Sequence, residues 1–306
     1  MKKIMIVILA IFSILIVSCS KSDNNTSEKL ILVGVNFPSY DLLRTLYQGT
    51  ENSVSMLLPP GSESHSYEPT PQDIIKLSKS DLFVYTGGES DEWVNKVMGS
   101  LGTKLETFKL IEAVPSVLEA HSEAMEGEAE EEIDEHVWTS LENEKLLASK
   151  LAIKLGQIDT KNAELYQENA KAFSLQLDAL IAEADEVIAN GKRKVIVFAD
   201  RFPLSHFVNE FNLEFYAAFP GCVHESEASA KTVAFLIEKV KEENLPIVFH
   251  IELSDSKLAK LISEETGCKV GEWNTAHNLT REQFDSGITY LDLFKQDLTL
   301  LKEALN

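Results

Sequence analysis

Cysteine and positive charge are both scarce in this chain. Its 306 residues include three cysteines, too few for a disulfide framework, and a core of this size does not need one. Lysine and arginine total 28 against 49 aspartates and glutamates, so the formal net charge is −21. Such an acidic chain is a poor binder of nucleic acid, and we expect no nucleic-acid partner. Its length allows one large domain or two medium ones.

A hydrophobic run long enough to span a membrane is also missing. The apolar run from Ile4 to Val17 has 14 residues, whereas a spanning helix needs about 20. It follows two lysines and leads into Ile-Val-Ser-Cys, which resembles the lipobox of a lipoprotein signal peptide. We therefore predict a signal peptide over 1–18, a lipid on Cys19 that anchors the protein at the extracytoplasmic face of the cell membrane, and a flexible tether over 19–28. A cleaved signal without lipid and an uncleaved anchor are the alternatives.

Short apolar or β-branched runs alternate with amphipathic helical stretches from Leu30 onward. The runs ILVGV, VSMLL and DLFVYT come first, and the pattern restarts after residue 190 with VIVFA, LEFYAAF and PIVFHI. Strands that alternate with helices are typical of a parallel sheet with helices on both faces. We therefore predict an α/β fold of two lobes, at 29–158 and 191–306, each a mostly parallel sheet flanked by helices.

Residues 159–190 contain neither proline nor glycine. Their apolar residues recur every three to four positions, which predicts one rigid helix of about eight turns joining the lobes. Asp159 and Thr160 are the candidates for its N-cap, and Asn190 with Gly191 for its end. An ordinary surface helix is the alternative.

The segment Glu119–Glu135 is dominated by one sign of charge. It holds nine acidic residues and no basic ones. Because like charges repel, we expect this acidic segment to be an extended, mobile loop that belongs to neither lobe.

Three histidines and one aspartate follow predicted strands or precede predicted helices. His65 lies on a loop rich in proline and glycine, His136 in DEHVWTS, and His277 in NTAHNLT, while Asp200 directly follows KVIVFA. Ligands of open α/β sheets bind at the carboxyl ends of the strands, so residues on those turns converge on one crevice. Imidazole with carboxylate is the usual ligand set for zinc and also suits manganese.

Two of these segments resemble motifs of a known family, the metal-binding lipoproteins of zinc and manganese ABC transporters, which are the cluster A-I solute-binding proteins. PPGSESHSYEPTPQDI is similar to the first ligand motif of that family, and DEHVW is similar to the second. The resemblance runs from the lipobox to Asn306. It implies two α/β lobes bridged by one long helix, with His65 and His136 as metal ligands from the first lobe.

The resemblance implies two further ligands from the second lobe. Asp200 takes the place of a histidine or glutamate that follows the corresponding strand, and His277 takes the place of the fourth ligand. Because ADRFPLSHF is longer than the usual motif, His206 and His224 are alternatives to Asp200. Glu252 resembles a glutamate that supports the site by accepting the second N–H of a ligating histidine.

The other histidine and thiol groups have plainer interpretations. His250 lies in the apolar strand PIVFHIE, so we expect it in the core or behind the site. Cys222 and Cys268 are expected to be free thiols, with a Cys222 thiolate ligand as an alternative.

These observations predict a monomeric transport receptor and not an enzyme. The protein would capture one divalent metal ion between its lobes, zinc first and manganese as the alternative, and deliver it to a membrane permease. A zinc hydrolase with Glu252 as general base is a second hypothesis, but the chain has no HExxH motif. A surface adhesin that is indifferent to metal is the third.

Overall fold

The computed structural model describes residues 29–62, 67–101, 105–123, 125, 132–221 and 227–306. The predictions on the signal peptide, the lipid on Cys19 and the tether lie outside these residues, as do those on His65, Cys222 and His224. None of the helices in the described part of the chain is long and apolar enough to cross a membrane.

The N-terminal lobe is built on a four-stranded parallel sheet. Its strands are β1 (Ile31–Gly34), β2 (Ser53–Met56), β3 (Leu82–Tyr85) and β4 (Glu106–Lys109). Its helices are α1 (Phe37–Leu46), α2 (Pro71–Leu77) and α3 (Glu92–Leu101). The strand order is β2-β1-β3-β4, and α1 packs on one face of the sheet while α2 and α3 pack on the other.

Two packed helices, α4 (Leu141–Ile158) and α5 (Ala163–Asn190), come next in the chain. The 28-residue α5 joins the lobes as predicted, but it begins at Ala163 and not at Asp159. The Asp159 carboxylate instead accepts hydrogen bonds from the Asn162 amide and the Tyr166 hydroxyl, each at 2.7 Å. These contacts hold 160–162 in a 3₁₀ turn, and the N-cap of α5 is Asn162.

The C-terminal lobe repeats the design with a second parallel sheet. Its strands are β5 (Val195–Phe202), β6 (Glu214–Pro220), β7 (Ile247–Ile251) and β8 (Lys269–Trp273), in the order β6-β5-β7-β8. Its helices are α6 (Ser205–Phe211), α7 (Ala230–Glu242), α8 (Lys257–Thr266), α9 (Arg281–Ser286) and α10 (Tyr290–Leu305). The predicted α/β fold of two parallel sheets flanked by helices is therefore confirmed.

The inner strands β1, β3, β5 and β7 are buried on both faces along most of their length, which explains why they are almost continuously apolar. In β5, Ile196 and Phe198 enter a central apolar cluster, whereas Val197 packs in a separate cluster on the outer face. The central cluster also contains Leu32 and Val84 from the first sheet. One hydrophobic core thus runs through both lobes.

Helix α1 of the first lobe holds the start of α10 in the second. The Asp41 carboxylate accepts a hydrogen bond from the backbone N–H of Tyr290 at 2.8 Å and pairs with Arg44. Arg44 also donates to the backbone oxygens of Gly287 and Ile288, at 3.3 and 2.7 Å. Burial raises the pKa of Asp41 above its usual range, and the Arg44 charge opposes that rise. Arg44 therefore stabilises both the carboxylate and the junction between the lobes.

Replacing Arg44 by alanine is expected to lower the free energy of unfolding by about 2 kcal/mol, because it leaves a buried carboxylate without its cation. Without Arg44 the pKa of Asp41 in the folded state rises further above its value in the unfolded state. Ionisation of Asp41 then favours the unfolded state, so the loss of unfolding free energy should be larger at pH 7.5 than at pH 5. Urea denaturation at both pH values measures this.

The matched control is Arg281→Ala, which removes an exposed arginine about 4.0 Å from Asp285. We expect a change within roughly 0.5 kcal/mol for this variant at either pH. Equal losses in the two variants would contradict a role for Arg44 at the junction.

Candidate metal centre

A polar cavity lies where the carboxyl ends of β1, β2 and β3 meet the second lobe. His277 reaches it from the C-terminal lobe, and the other lining residues belong to the N-terminal lobe. Tyr67, two positions after His65, is one of them. The polar lining residues also include Asn36, Thr86, Ser90, Asp91 and Glu135.

His136 is completely buried beside this cavity, and its ring is oriented by Asp134. The Nδ1 atom of His136 lies 2.6 Å from Oδ1 of Asp134, and the backbone N–H of His136 donates to the same oxygen at 2.8 Å. A carboxylate at Nδ1 favours the tautomer in which Nδ1 carries the proton and Nε2 carries the lone pair that binds metals.

Asp134 is held by both lobes. Its second oxygen accepts the backbone N–H of Ser205, at the start of α6, at 3.3 Å. Burial disfavours the charged carboxylate, but the charge of His136 and the hydrogen bonds from His136 and Ser205 outweigh it and hold the pKa of Asp134 below its usual range. Asp134 was not among the predicted site residues, although the DEHVW motif contains it.

His277 approaches His136 from the second lobe. The centroids of the two imidazole rings are 5.1 Å apart, and the ring planes are nearly perpendicular at 84°. Of the four predicted ligands, these are the two that the structure brings together in its described part. His65 lies outside that part, so its place in the site stays a prediction.

The loop that carries His277 is fixed by Glu252. One oxygen of this buried carboxylate accepts the backbone N–H of Thr275 at 2.7 Å, and the other accepts the Thr275 hydroxyl and the His277 N–H at 2.7 and 3.0 Å. Burial raises the pKa of Glu252. We expected Glu252 to accept a hydrogen bond from an imidazole ring, and in the structure it accepts hydrogen bonds from the backbone and the hydroxyl group of this loop.

The same loop contains a residue in an unfavourable conformation. Ala276 has a φ of +58°, in the left-handed region, which costs a residue with a Cβ about 1 kcal/mol. Asp297 adds a further restraint, because it accepts both the backbone N–H and the side-chain amide of Asn274 at 2.9 Å. The neighbouring hydrogen bonds therefore stabilise a loop that would not adopt this shape alone.

Asp200 lies at the carboxyl end of the second sheet but is bound to β7. Its carboxylate accepts the backbone N–H of Ile251 at 3.1 Å, that of Arg201 at 2.8 Å, and the hydroxyl of Ser254. Across the residues described, no three His, Cys, Asp or Glu side chains are grouped as they would be to hold a metal ion. Metal ligation by Asp200 therefore stays a prediction, and it requires some of these hydrogen bonds to be exchanged.

His206, an alternative ligand, supports the His136 segment in this structure. Its Nδ1 accepts from the Asn143 amide at 3.1 Å, and its Nε2–H donates to the backbone oxygen of Asp134 at 3.0 Å. Both ring nitrogens are engaged, so His206 would have to give up a hydrogen bond to bind metal. His250, inside β7, donates from Nδ1 to the Ile251 oxygen at 2.9 Å. Cys268 is a buried free thiol, as predicted.

The described ends of the acidic segment are folded, which differs from the mobile loop that we expected. Leu118 and Ile133 form an antiparallel bridge, and Met125 is buried in the central core. On the second lobe, Ser205 Oγ accepts the Ala120 N–H at 2.8 Å. Backbone pairing and apolar burial thus outweigh the repulsion between like charges at the two ends of the acidic segment.

Two carboxyl groups, Asp91 in the cavity wall and the partly buried Glu119, have raised pKa values. Burial raises the pKa of Asp91, in the cavity wall, to about 7. Burial and the charge of Asp134 also raise the pKa of Glu119 to about 7, although His136 opposes this. Asp91 lies in GGESDEW, which contains no recognisable motif, so the sequence offered no signal for it.

A family model for the periplasmic component A of zinc-uptake complexes, ZnuA, matches residues 34–304. The chain belongs to this family. That membership confirms the resemblance noted in the two histidine motifs, and it confirms a transport protein in place of a zinc hydrolase.

Individual relatives cover almost the whole chain. The high-affinity zinc uptake system protein ZnuA of Bacillus subtilis is 28% identical over 316 residues, which cover 97% of this chain and 96% of the relative. A manganese ABC transporter substrate-binding lipoprotein of Streptococcus gordonii, scaA, is 27% identical over 321 residues, covering 100% and 99%.

The fold is similar to that of solved structures. The crystal structure of Zn(II)-bound AdcA from Streptococcus pneumoniae has a TM-score of 0.75 at 26% identity, and the match covers 90% of this chain. It covers 58% of the AdcA chain, so the present protein spans less than two thirds of that relative.

We predict that Asp134→Asn weakens zinc affinity about 10- to 100-fold, because the amide no longer fixes the Nδ1–H tautomer of His136. Competition titration against a chromophoric chelator measures the affinity. Asp159→Asn is the matched control, since it neutralises another carboxylate that accepts side-chain hydrogen bonds, just before α5, and it should lower stability while zinc affinity is kept. Equal losses of affinity in both variants would show that Asp134 acts only through stability.

Proposed function

We propose that this protein is the extracytoplasmic solute-binding component of an ABC transporter and that it captures one divalent transition metal ion, zinc, for delivery to a membrane permease. The observation that carries the proposal is the pair His136 and His277, which come from different lobes and face each other beside a polar cavity. Histidines placed in this way suit capture of an ion at the boundary between lobes.

The ligands that we propose are His65, His136, Asp200 and His277. Support for His65 comes from Tyr67, since a residue two positions away lines the same cavity. Three imidazoles and one carboxylate match the four-coordinate preference of zinc and leave a net ligand charge of −1 for a 2+ ion. A closed set of four ligands suits binding and release better than catalysis, which needs an open position.

Manganese is the alternative ion. Imidazole-rich sites favour zinc, whereas manganese prefers carboxylate, carbonyl and water oxygens. The relatives are named for both ions, zinc in Bacillus subtilis and manganese in Streptococcus gordonii. Elemental analysis of metal that copurifies from metal-replete cells, followed by competition between the two ions, decides between them.

The proposed location is the outer face of the cell membrane, with a lipid on Cys19 and a monomeric folded body. Relatives that are named lipoproteins support the anchor. Adhesion to a surface is the remaining alternative, and it is distinguished by attachment that survives chelation of metal. Loss of zinc uptake by cells that lack the gene for this protein would support delivery of the ion to a permease.

His65→Ala, His136→Ala and His277→Ala are each expected to weaken zinc binding at least 100-fold, because each removes one of four ligands. Isothermal titration with competing chelator measures the change. His250→Ala is the matched control: it removes a buried histidine that is hydrogen-bonded to its own strand, and it should keep the affinity. Full-strength binding in the His136 or His277 variant would refute the proposed site.

Zinc affinity is expected to fall as the pH drops through about 6.5, where unperturbed imidazole takes up a proton. Protons and metal compete for the same nitrogens, so acid favours the metal-free form and the dissociation constant rises with falling pH. Titrations between pH 7.5 and pH 5 measure this dependence. An affinity that does not change over that range would indicate an all-carboxylate site.

A further inference from the structure

Trp138 touches both histidines of the candidate centre. It is completely buried in the 3₁₀ turn directly after His136. Its ring centroid lies 5.4 Å from that of His136 and 5.2 Å from that of His277. One rigid side chain of the first lobe therefore packs against an imidazole from each lobe.

Trp138 is also hydrogen-bonded to the second lobe at two points. Its indole Nε1–H donates to the backbone oxygen of Thr275 at 2.8 Å, and its own backbone oxygen accepts the Tyr290 hydroxyl at 2.7 Å. Thr275 lies two residues before His277, in the loop that Glu252 clamps from the other side. The loop is thus held between a carboxylate of its own lobe and an indole of the opposite lobe.

We propose that Trp138 is a positioning residue that sets the separation of His136 and His277 across the lobe boundary. The inference rests on the proposed function, because it assigns a role within the same metal site. The indole is planar and stiff, and its N–H points in one direction in the plane of the ring, so the hydrogen bond restrains where the Thr275 oxygen lies relative to the ring. Since Trp138 lies two residues after His136, in the 3₁₀ turn that His136 caps, that restraint extends to the spacing of both imidazoles.

A purely space-filling tryptophan would depend on the shape of the ring and not on its N–H. The two roles separate when the N–H is removed and the ring kept. Trp138→Phe removes the donor and shortens the ring, whereas benzothienylalanine at position 138 keeps the bicyclic shape and replaces only the N–H by sulfur. The second replacement keeps the test informative if the phenylalanine variant does not fold.

Three measurements are made on each folded variant. Zinc affinity is expected to fall about 10- to 100-fold, since the buried Thr275 oxygen loses its donor and the loop is free to move. The visible absorption of the Co²⁺-substituted protein at saturation should shift, because the two imidazoles no longer meet the ion at the original spacing. In the metal-free protein, amide hydrogen exchange at Thr275 and His277 should become faster.

Tyr166→Phe is the matched control, since it also removes a buried aromatic hydrogen-bonding group. The Tyr166 hydroxyl contacts Asn52 and Asp159 near the amino end of β1, whereas the cavity lies at the carboxyl end of that strand. This variant should lower stability while its Co²⁺ spectrum, zinc affinity and Thr275 exchange stay as in the wild type.

Wild-type affinity, spectrum and exchange in the benzothienylalanine protein would overturn the role of Trp138 while leaving the proposed function intact. Failure of the wild-type protein to bind zinc or manganese would instead refute the proposed function. In that case, faster amide exchange at Thr275 in the variants would show that Trp138 restrains the loop although the protein binds no metal. Unchanged exchange would refute that restraint as well.

Discussion

A buried, charged carboxylate is stable only where hydrogen-bond donors surround it, and Asp134 imposes that requirement on the whole molecule. Its donors come from the His136 ring, the His136 backbone and the start of α6. Satisfying Asp134 therefore requires the second lobe to lie against the first at this point. The orientation of His136, the position of α6 and the contact of His206 with the Asp134 backbone all follow from it.

The shared hydrophobic core also holds the two lobes against each other. The central cluster includes residues of both sheets, of α4 and α5, and of α10. Separating the lobes would expose this apolar surface to water, and each buried leucine or phenylalanine side chain contributes roughly 2 kcal/mol to keeping it covered. Helix α5 thus spans two bodies that are already joined by packing, and the spacing of the site residues is a property of the whole core.

Local patterns in the sequence were enough to predict the fold and part of the site. Strand and helix alternation gave the two sheets, and the recurrence of Tyr166, Phe173 and Leu180 gave the buried face of α5. The site depends on contacts that no local pattern encodes. Thr275 is 137 positions from Trp138, and Glu252 is 25 positions from His277. The family motifs therefore predicted the two histidines as ligands but not the backbone role of Glu252 or the charge balance at Asp134.

The acidic segment shows the opposite kind of limit. Its charge marked an unusual stretch, but a count of charges predicts neither the burial of Met125 nor the pairing of Leu118 with Ile133.

The two sheets have the same strand order, with the first strand beside the third in each. The molecule is therefore made of two copies of one topology, and each sheet has its switch point between these two strands. In the first lobe that point forms part of the cavity wall, where Asn36 and Thr86 follow β1 and β3, whereas His277 of the second lobe comes from the loop after the edge strand β8. Two equivalent sheets are thus used in different ways, and the repeated topology does not produce a symmetric site.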